Sequence, residues 1–524
     1  MPPQGNSQLA AALERVRRAA QDAIIQTDDI TRADREILQA KGWLQEIIRG
    51  WYLLVTPDAK PGDTVLWHSS FWPFVAAYLR SRFKKRYCLS AEASLDLHTG
   101  KMGTPRQVVV TAATGGNNKI DLPTGSSIFM VMQAANLPDA PEIVNGVQVF
   151  PLAVALVRTT PTFFRLDPLT AEIALKQIRR DDLARALLTK WNAQSAGRLV
   201  GALTAVGRSD DAASIAADID AAGYRITPEN PFEQPPLLGS IARLEWPHVG
   251  RILAMWKAMR EHVLALRPKP PGALPELARY LQQANAAYVR DAYNSLSIEG
   301  YRVTHELIAR VASGEWNPKD AGDKKHTDAM AARGYFEAHE KVLESISQVY
   351  GGANAGATLE QHLADWYRAL FSPSVQAGIL DRWQLAGYRD RPVYITSASH
   401  VPPQKDAVPA CMEAFFQLLR DEPDPWVRAI LGHFVFVFIH PYSDGNGRLG
   451  RLIMNMMLAS GGYPWTVLRL ERRDAYMAAL EAASSRHDIE LFSKFVAEEL
   501  AASYPNVKNE PTSQTKHGEG QRAS

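Results

Sequence analysis

Cysteine is almost missing from this chain: Cys88 and Cys411 are the only two in 524 residues. Two isolated thiols exclude a disulfide framework and a cysteine-rich zinc site, and they suit a reducing compartment. Excess charge is missing too. Lys plus Arg number 58 and Asp plus Glu 56, a net charge of +2. No global field therefore draws the chain to nucleic acid or membrane, and any basic patch has to be local. No apolar run approaches the length that crosses a bilayer, and MPPQGNSQLAAALERVRRAA at the start lacks a signal-type apolar core. The expectation is a cytoplasmic protein with no membrane partner. What is abundant is hydrophobic mass, 46% of residues, enough for two or three packed domains.

The fold class read from patterning is mainly α. Residues 7–25 have Leu9, Leu13 and Val16 on one helical face, giving an N-terminal helix within 1–25. TRADREILQAKG offers Thr31 as a cap and Gly42 as a stop, and WLQEIIRGWYLLV reads as a strand pair turning at Arg49-Gly50. A helix followed by a small hairpin over 26–56 has the pattern of a winged helix-turn-helix. Residues 57–225 mix short strands such as RQVVVTAA and SIFMVMQ with later helices. The Pro-rich ITPENPFEQPPLLG, 226–239, is the expected domain boundary. From Trp246 to about Ala502 nearly everything reads as helical, interrupted by YRDRPVYITSASHVPPQ (388–404), expected to be a hairpin with a loop. The polar tail, 506–524, is expected to be disordered.

The densest polar cluster is HPYSDGNGRLGR, 440–451, between the greasy FVFVFI and LIMNMML. Pro441 disfavours helical geometry at His440, so a first helix should stop there and a second should begin near Gly447. That second start exposes unpaired N–H groups and a positive dipole end. Gly445 and Gly447 let the loop fold its N–H groups around an anion. Arg448 and Arg451, three apart, share one helix face and suit a polyphosphate. Asp444 beside phosphate needs an intervening cation, and its hard oxygens suit Mg²⁺. His440 at the rim suits removal of a proton from an incoming hydroxyl. A capped interhelical loop would explain any one of these residues, but explains the whole set poorly. Together they form a kit for phosphoryl or nucleotidyl transfer to a hydroxyl.

The segment resembles the Fic family signature H-x-F-x-D/E-G-N-G-R-x-x-R, with Tyr442 in place of Phe. The resemblance implies an all-helical core with a β-hairpin flap, spanning 236–500, and a protein adenylyltransferase that passes AMP from ATP to a target hydroxyl. It implies His440 as general base and Asp444 as Mg²⁺ ligand. Asn446 with the backbone at Gly445 and Gly447 would bind phosphates, as would Arg448, and Arg451 would reach the γ-phosphate. NSLSIEGYRV (294–303) is similar to the family's inhibitory motif at Ser295, Glu299 and Gly300. Glu299 would then pair with Arg451 and restrain the enzyme from within its own chain. Val393, Tyr394 and Ile395 would form a flap edge that docks the target segment. Tyr476 and Asn455, the latter four residues after Arg451, are candidate nucleotide contacts. AMP removal at the same site is the alternative reaction.

KGWLQEIIRGWYLLV, RYCLSAEASLDLHTG, RQVVV and AGRLVGALTAVGR resemble AbiEi-type antitoxin regulators. This implies a DNA partner for residues 26–110 and a homodimer. It also sustains a rival reading, a transcriptional regulator with a Fic-fold sensor. Between Thr31 and Val110 there are twelve Lys/Arg against seven Asp/Glu, and RSRFKKR (80–86) holds five bases in seven.

Overall fold

The computed structural model describes residues 4–19, 23–55, 57, 65–101, 103–189, 191–239, 244–271, 274–315, 327–395 and 398–503. The expected disordered tail lies outside them. The chain divides into two units, Met1–Ala254 with Pro392–Pro403, and Met255–Arg391 with Gln404–Ser524.

In the first unit, the N-terminal helix is Gln4–Ala19, shorter than the 7–25 periodicity suggests. The apolar Ile24–Gln26 leaves the helix to pair antiparallel with Trp51–Leu53, which buries Ile24 and Ile25. Helix Arg32–Ala40 is capped by Thr31, whose hydroxyl accepts from the Asp34 N–H. The expected hairpin is present: Leu44–Ile48 pairs with Trp51–Leu54 across Arg49-Gly50. A second sheet runs Tyr87–Leu89, Val108–Ala112, Ser127–Met132, Asn118–Asp121, its two central strands parallel. The helix Val65–Phe83 shares a core with this sheet through the fully buried Phe71, Phe74 and Leu79. Helices from Leu152–Arg158 to Ser209–Ala221 surround a second core.

The Pro-rich 226–239 stretch is not where the units divide. Its Phe232 is buried in that second core, and the buried Glu172 carboxylate accepts from the Leu237 and Leu238 N–H groups at 2.8 and 2.9 Å. Prolines deprive this stretch of the N–H groups a helix needs, but its apolar side chains are still sequestered. The division instead falls between Ala254 and Met255, inside the continuous helix Pro247–Ala265.

The second unit is helical. Pro425–Ile439 is buried almost all round. Asp424 caps it by accepting from the Trp426 and Val427 N–H groups at 2.9 and 3.1 Å, and Pro425 occupies the first turn. It forms a helical hairpin with Asn446–Ala459. Leu277–Ile298, Thr327–Tyr350 and Ala355–Gln376 pack around that pair. The hairpin expected at 388–404 does not form among the described residues, none of which is in a strand. Pro392, Pro402 and Pro403 cannot donate to a ladder, so alternation alone does not make strands there. Val393 and Ile395 are half-buried and Tyr394 is exposed.

Candidate active site

The cluster is built on two helix ends. Pro425–Ile439 stops where Pro441 requires it, and His440 takes a left-handed conformation, φ 52 and ψ 58. Its N–H still donates to the Phe436 carbonyl at 2.9 Å. The ring nitrogen Nδ1 lies 3.2 Å from the Val437 carbonyl. An acceptor there fixes the proton on Nδ1 and leaves the Nε2 lone pair to take another. Burial pushes the His440 pKa down to about 4 against the hydrogen bond to Val437. The imidazole is therefore neutral at pH 7, the form a base requires.

The loop between the helices is held rigidly. The Tyr442 ring stacks on Tyr367 at 3.9 Å, nearly parallel. The buried Asn446 side chain accepts from the Tyr442 N–H at 3.0 Å and donates to its carbonyl at 2.8 Å. Gly445 sits at φ +82, and a Cβ there would lie 2.7 Å from the Phe371 ring. No other residue satisfies both conditions. Asp444 is largely exposed. Its carboxylate accepts from the Gly445 N–H at 2.6 Å and from Arg448 Nη2 at 3.0 Å.

The second helix begins at Asn446, so its first-turn N–H groups open on this loop. Arg448 is buried, with its guanidinium 4.9 Å from the Phe371 ring centre and 5.1 Å from that of Tyr301. Arg451 is buried one turn on. Its Nε donates to Ser295 Oγ at 2.8 Å, and its Nη2 donates to the Ser295 carbonyl at 3.0 Å and to Glu299 Oε1 at 2.6 Å. Glu299 follows the helix Leu277–Ile298, and Gly300 at φ +92 turns the chain away. Burial alone would raise the Glu299 carboxyl, but the Arg451 guanidinium holds it below the usual range. The carboxylate rests against Gly447, where a Cβ would come within 2.2 Å of Oε1. An internal anion thus occupies the space over the helix start.

The structure brings together His440, Asp444, Gly445, Gly447, Arg448, Arg451, Ser295, Glu299 and Gly300. Three expectations change. The Asn446 side chain is engaged with the Tyr442 backbone and not held out as a free ligand. Asn455 is also committed elsewhere: it donates to the Thr466 carbonyl at 3.0 Å and accepts from the Thr466 N–H at 2.7 Å, fully buried. It pins a chain segment and does not face a nucleotide. Replacing Asn455 by Ala leaves both Thr466 groups unpaired and should cost about 1–3 kcal/mol of stability. Urea melts should show that loss. Tyr476 is buried among Phe492 and Phe495, with its hydroxyl 2.9 Å from His433 Nε2. It belongs to the core behind Arg451. Sequence reading missed Tyr301 and Phe371. Tyr301 was findable as the residue after Glu299-Gly300, whereas Phe371 carries no local signal.

Residues 357–458 match the family described as Fic/DOC. Curated proteins named protein adenylyltransferase Fic are similar to part of this chain. The one from Nematostella vectensis is 29% identical over 44% of this chain and 49% of its own. That from Drosophila yakuba is 34% identical over 40% of each chain. The matches therefore span less than half of either relative. A solved structure, Fic-1 from C. elegans, overlaps 64% of this chain and 86% of that one at 18% identity, with a TM-score of 0.36. His440 to Arg451 lie inside the matched segment, while Ser295 and Glu299 lie upstream of it.

Proposed function

We propose that this chain transfers AMP from ATP to a hydroxyl of a target protein, and that Glu299 restrains it. The observation that carries this reading is the Glu299 carboxylate seated over Gly447 and bonded to Arg451. A cradle that accepts an internal carboxylate is built for an anion. When Glu299 leaves, Arg451 and the first-turn N–H groups are released to a triphosphate. His440 Nε2 takes the proton of the target hydroxyl. The hydroxyl oxygen bonds to the α-phosphorus, the bond from that phosphorus to the β-phosphate oxygen breaks, and pyrophosphate departs. Arg448 and Arg451 neutralise charge on the departing phosphates.

Asp444 is the residue suited to Mg²⁺. Its carboxylate is exposed beside the cradle, and no group of three or more His, Cys, Asp or Glu forms a metal cage among the described residues. One carboxylate plus phosphate oxygens is a usual Mg²⁺ environment, and the ion supplies charge neutralisation between phosphates when bound. The test uses full-length Glu299→Gly with ATP labelled at the α- or the γ-phosphate. Label retained on protein from the α-position alone supports AMP transfer. Label from the γ-position would make the site a kinase and overturn the reading.

We also propose that the first unit binds a phosphate backbone, a winged-helix regulator's role, supported by the exposure of Arg80, Arg82, Lys84, Lys85 and Arg86. Fluorescence anisotropy with a mixed DNA duplex should show affinity falling steeply with salt. Replacing Lys84 and Lys85 by Ala should reduce the salt slope by about 2. An unchanged slope would reject that surface.

A further inference from the structure

The conformation of His440 raises a question that the helix ends do not answer. A residue with a β-carbon at φ 52 is held against its own sterics. Such a conformation persists only where its surroundings over-determine it. Asn446 and the Tyr442–Tyr367 stack hold the loop beyond Pro441. They do not hold His440 itself.

Arg389 does. Its Nε donates to the His440 carbonyl at 2.8 Å, and its backbone N–H donates to the Pro441 carbonyl at 2.9 Å. One residue thus grips two successive carbonyls at the left-handed kink. Its Nη1 donates to the Arg391 carbonyl at 3.2 Å, which fixes the guanidinium in turn. Its two guanidinium bonds are charge-assisted, and at 5% exposure little water competes with them. The motif reading gave Arg389 no role.

We propose that Arg389 is a positioning residue for the proton transfer: it holds the His440–Pro441 backbone in the geometry that aims the imidazole at the incoming hydroxyl. The electrostatics run the same way. Beyond burial and the Val437 bond, the charged groups acting on His440 are Arg389, Glu299 and Asp444. Of these Arg389 alone favours the neutral ring, and the two carboxylates oppose it. The kinetic part of this proposal rests on the AMP-transfer reading; the structural part does not.

The experiment compares Arg389→Met and Arg389→Lys in the full-length Glu299→Gly chain. Met keeps the stem without donor or charge; Lys keeps the charge and one donor. Arg389→Met is expected to lower kcat about 10- to 100-fold, with the ATP KM within about threefold. The acid limb of its pH–rate profile should move upward. Arg389→Lys should recover most of the rate and return the acid limb. Equal loss in kcat and in melting temperature, with an unmoved acid limb, would reduce Arg389 to a stability residue and overturn the proposal. So would unchanged kinetics in Arg389→Met.

NMR titration of the His440 imidazole, identified by its loss in His440→Ala, is read alongside. An upward shift of its midpoint in Arg389→Met is expected, and an unshifted midpoint counts against the proposal. That readout needs no turnover. If Glu299→Gly proves inactive, the AMP-transfer reading fails while the titration still decides on Arg389. Should Arg389→Met not fold, Arg389→Gln, a donor without charge, is read by the same titration.

Discussion

Glu299→Gly is expected to raise AMP incorporation by about 10- to 1,000-fold over wild type. The range follows from coupling energies of about 1.5–7 kcal/mol for close, desolvated charge pairs, less the cost of leaving Arg451 unpaired. The pair is close: Arg451 Nη2 to Glu299 Oε1 is 2.6 Å, and Arg451 is buried. Removing the carboxylate also empties the space over Gly447. A second consequence is thermodynamic. In Glu299→Gly the buried Arg451 cation keeps its bonds to Ser295 but has lost its anionic partner until a triphosphate arrives. ATP should therefore raise the melting temperature more in the variant than in wild type. Equal incorporation of α-labelled ATP by the two proteins would sink self-restraint.

The sign of the pH dependence is fixed by the same pair. A carboxyl with a depressed folded-state pKa contributes its ion pair above its unfolded pKa and loses it as pH falls through the folded value. For Glu299 that loss lies below the usual carboxylate range. The ratio of variant to wild-type activity should therefore be flat from pH 6 to 8.

His440→Ala in the Glu299→Gly background is expected to lower the rate about 10²- to 10⁴-fold, the usual worth of a general base. The ATP KM should hardly move, because the imidazole meets the incoming hydroxyl and not the phosphates. With its pKa near 4, His440 is unprotonated across the neutral range. The acid limb of the pH–rate profile should accordingly lie below pH 6, under the ordinary histidine value of about 6.5. An acid limb at 6.5 or above would mean that another group takes the proton. Binding of ATP retained with turnover lost would place the defect in chemistry.

Much of the site was legible because its elements are local. Pro441 ends a helix and Gly445 begins one whatever surrounds them, and arginines three apart share a face by helical geometry alone. The two amides show the limit. Asn446 and Asn455 have donors and acceptors that fit a nucleotide as well as a backbone, and only their neighbours decide. Tyr442 and Thr466 are those neighbours, and each amide spends a donor and its carbonyl oxygen on them. Alternation misled at 388–404 for a related reason. A strand needs a partner ladder, and that stretch carries prolines where the ladder would need N–H groups.

By itself the sequence determined the helical class, the helix–loop–helix frame, the residues of the anion cradle, and the Ser295–Glu299–Gly300 turn that ends a helix. These are set within one or two turns of chain, where backbone sterics and spacing suffice. Tertiary structure alone decided that Glu299 reaches Arg451 from 152 residues away. It also decided that Tyr301 and Phe371 flank Arg448, and that Arg389 grips the His440 kink. Contacts across such separations depend on how helices pack, and packing sums many small apolar contacts that no short stretch of sequence contains.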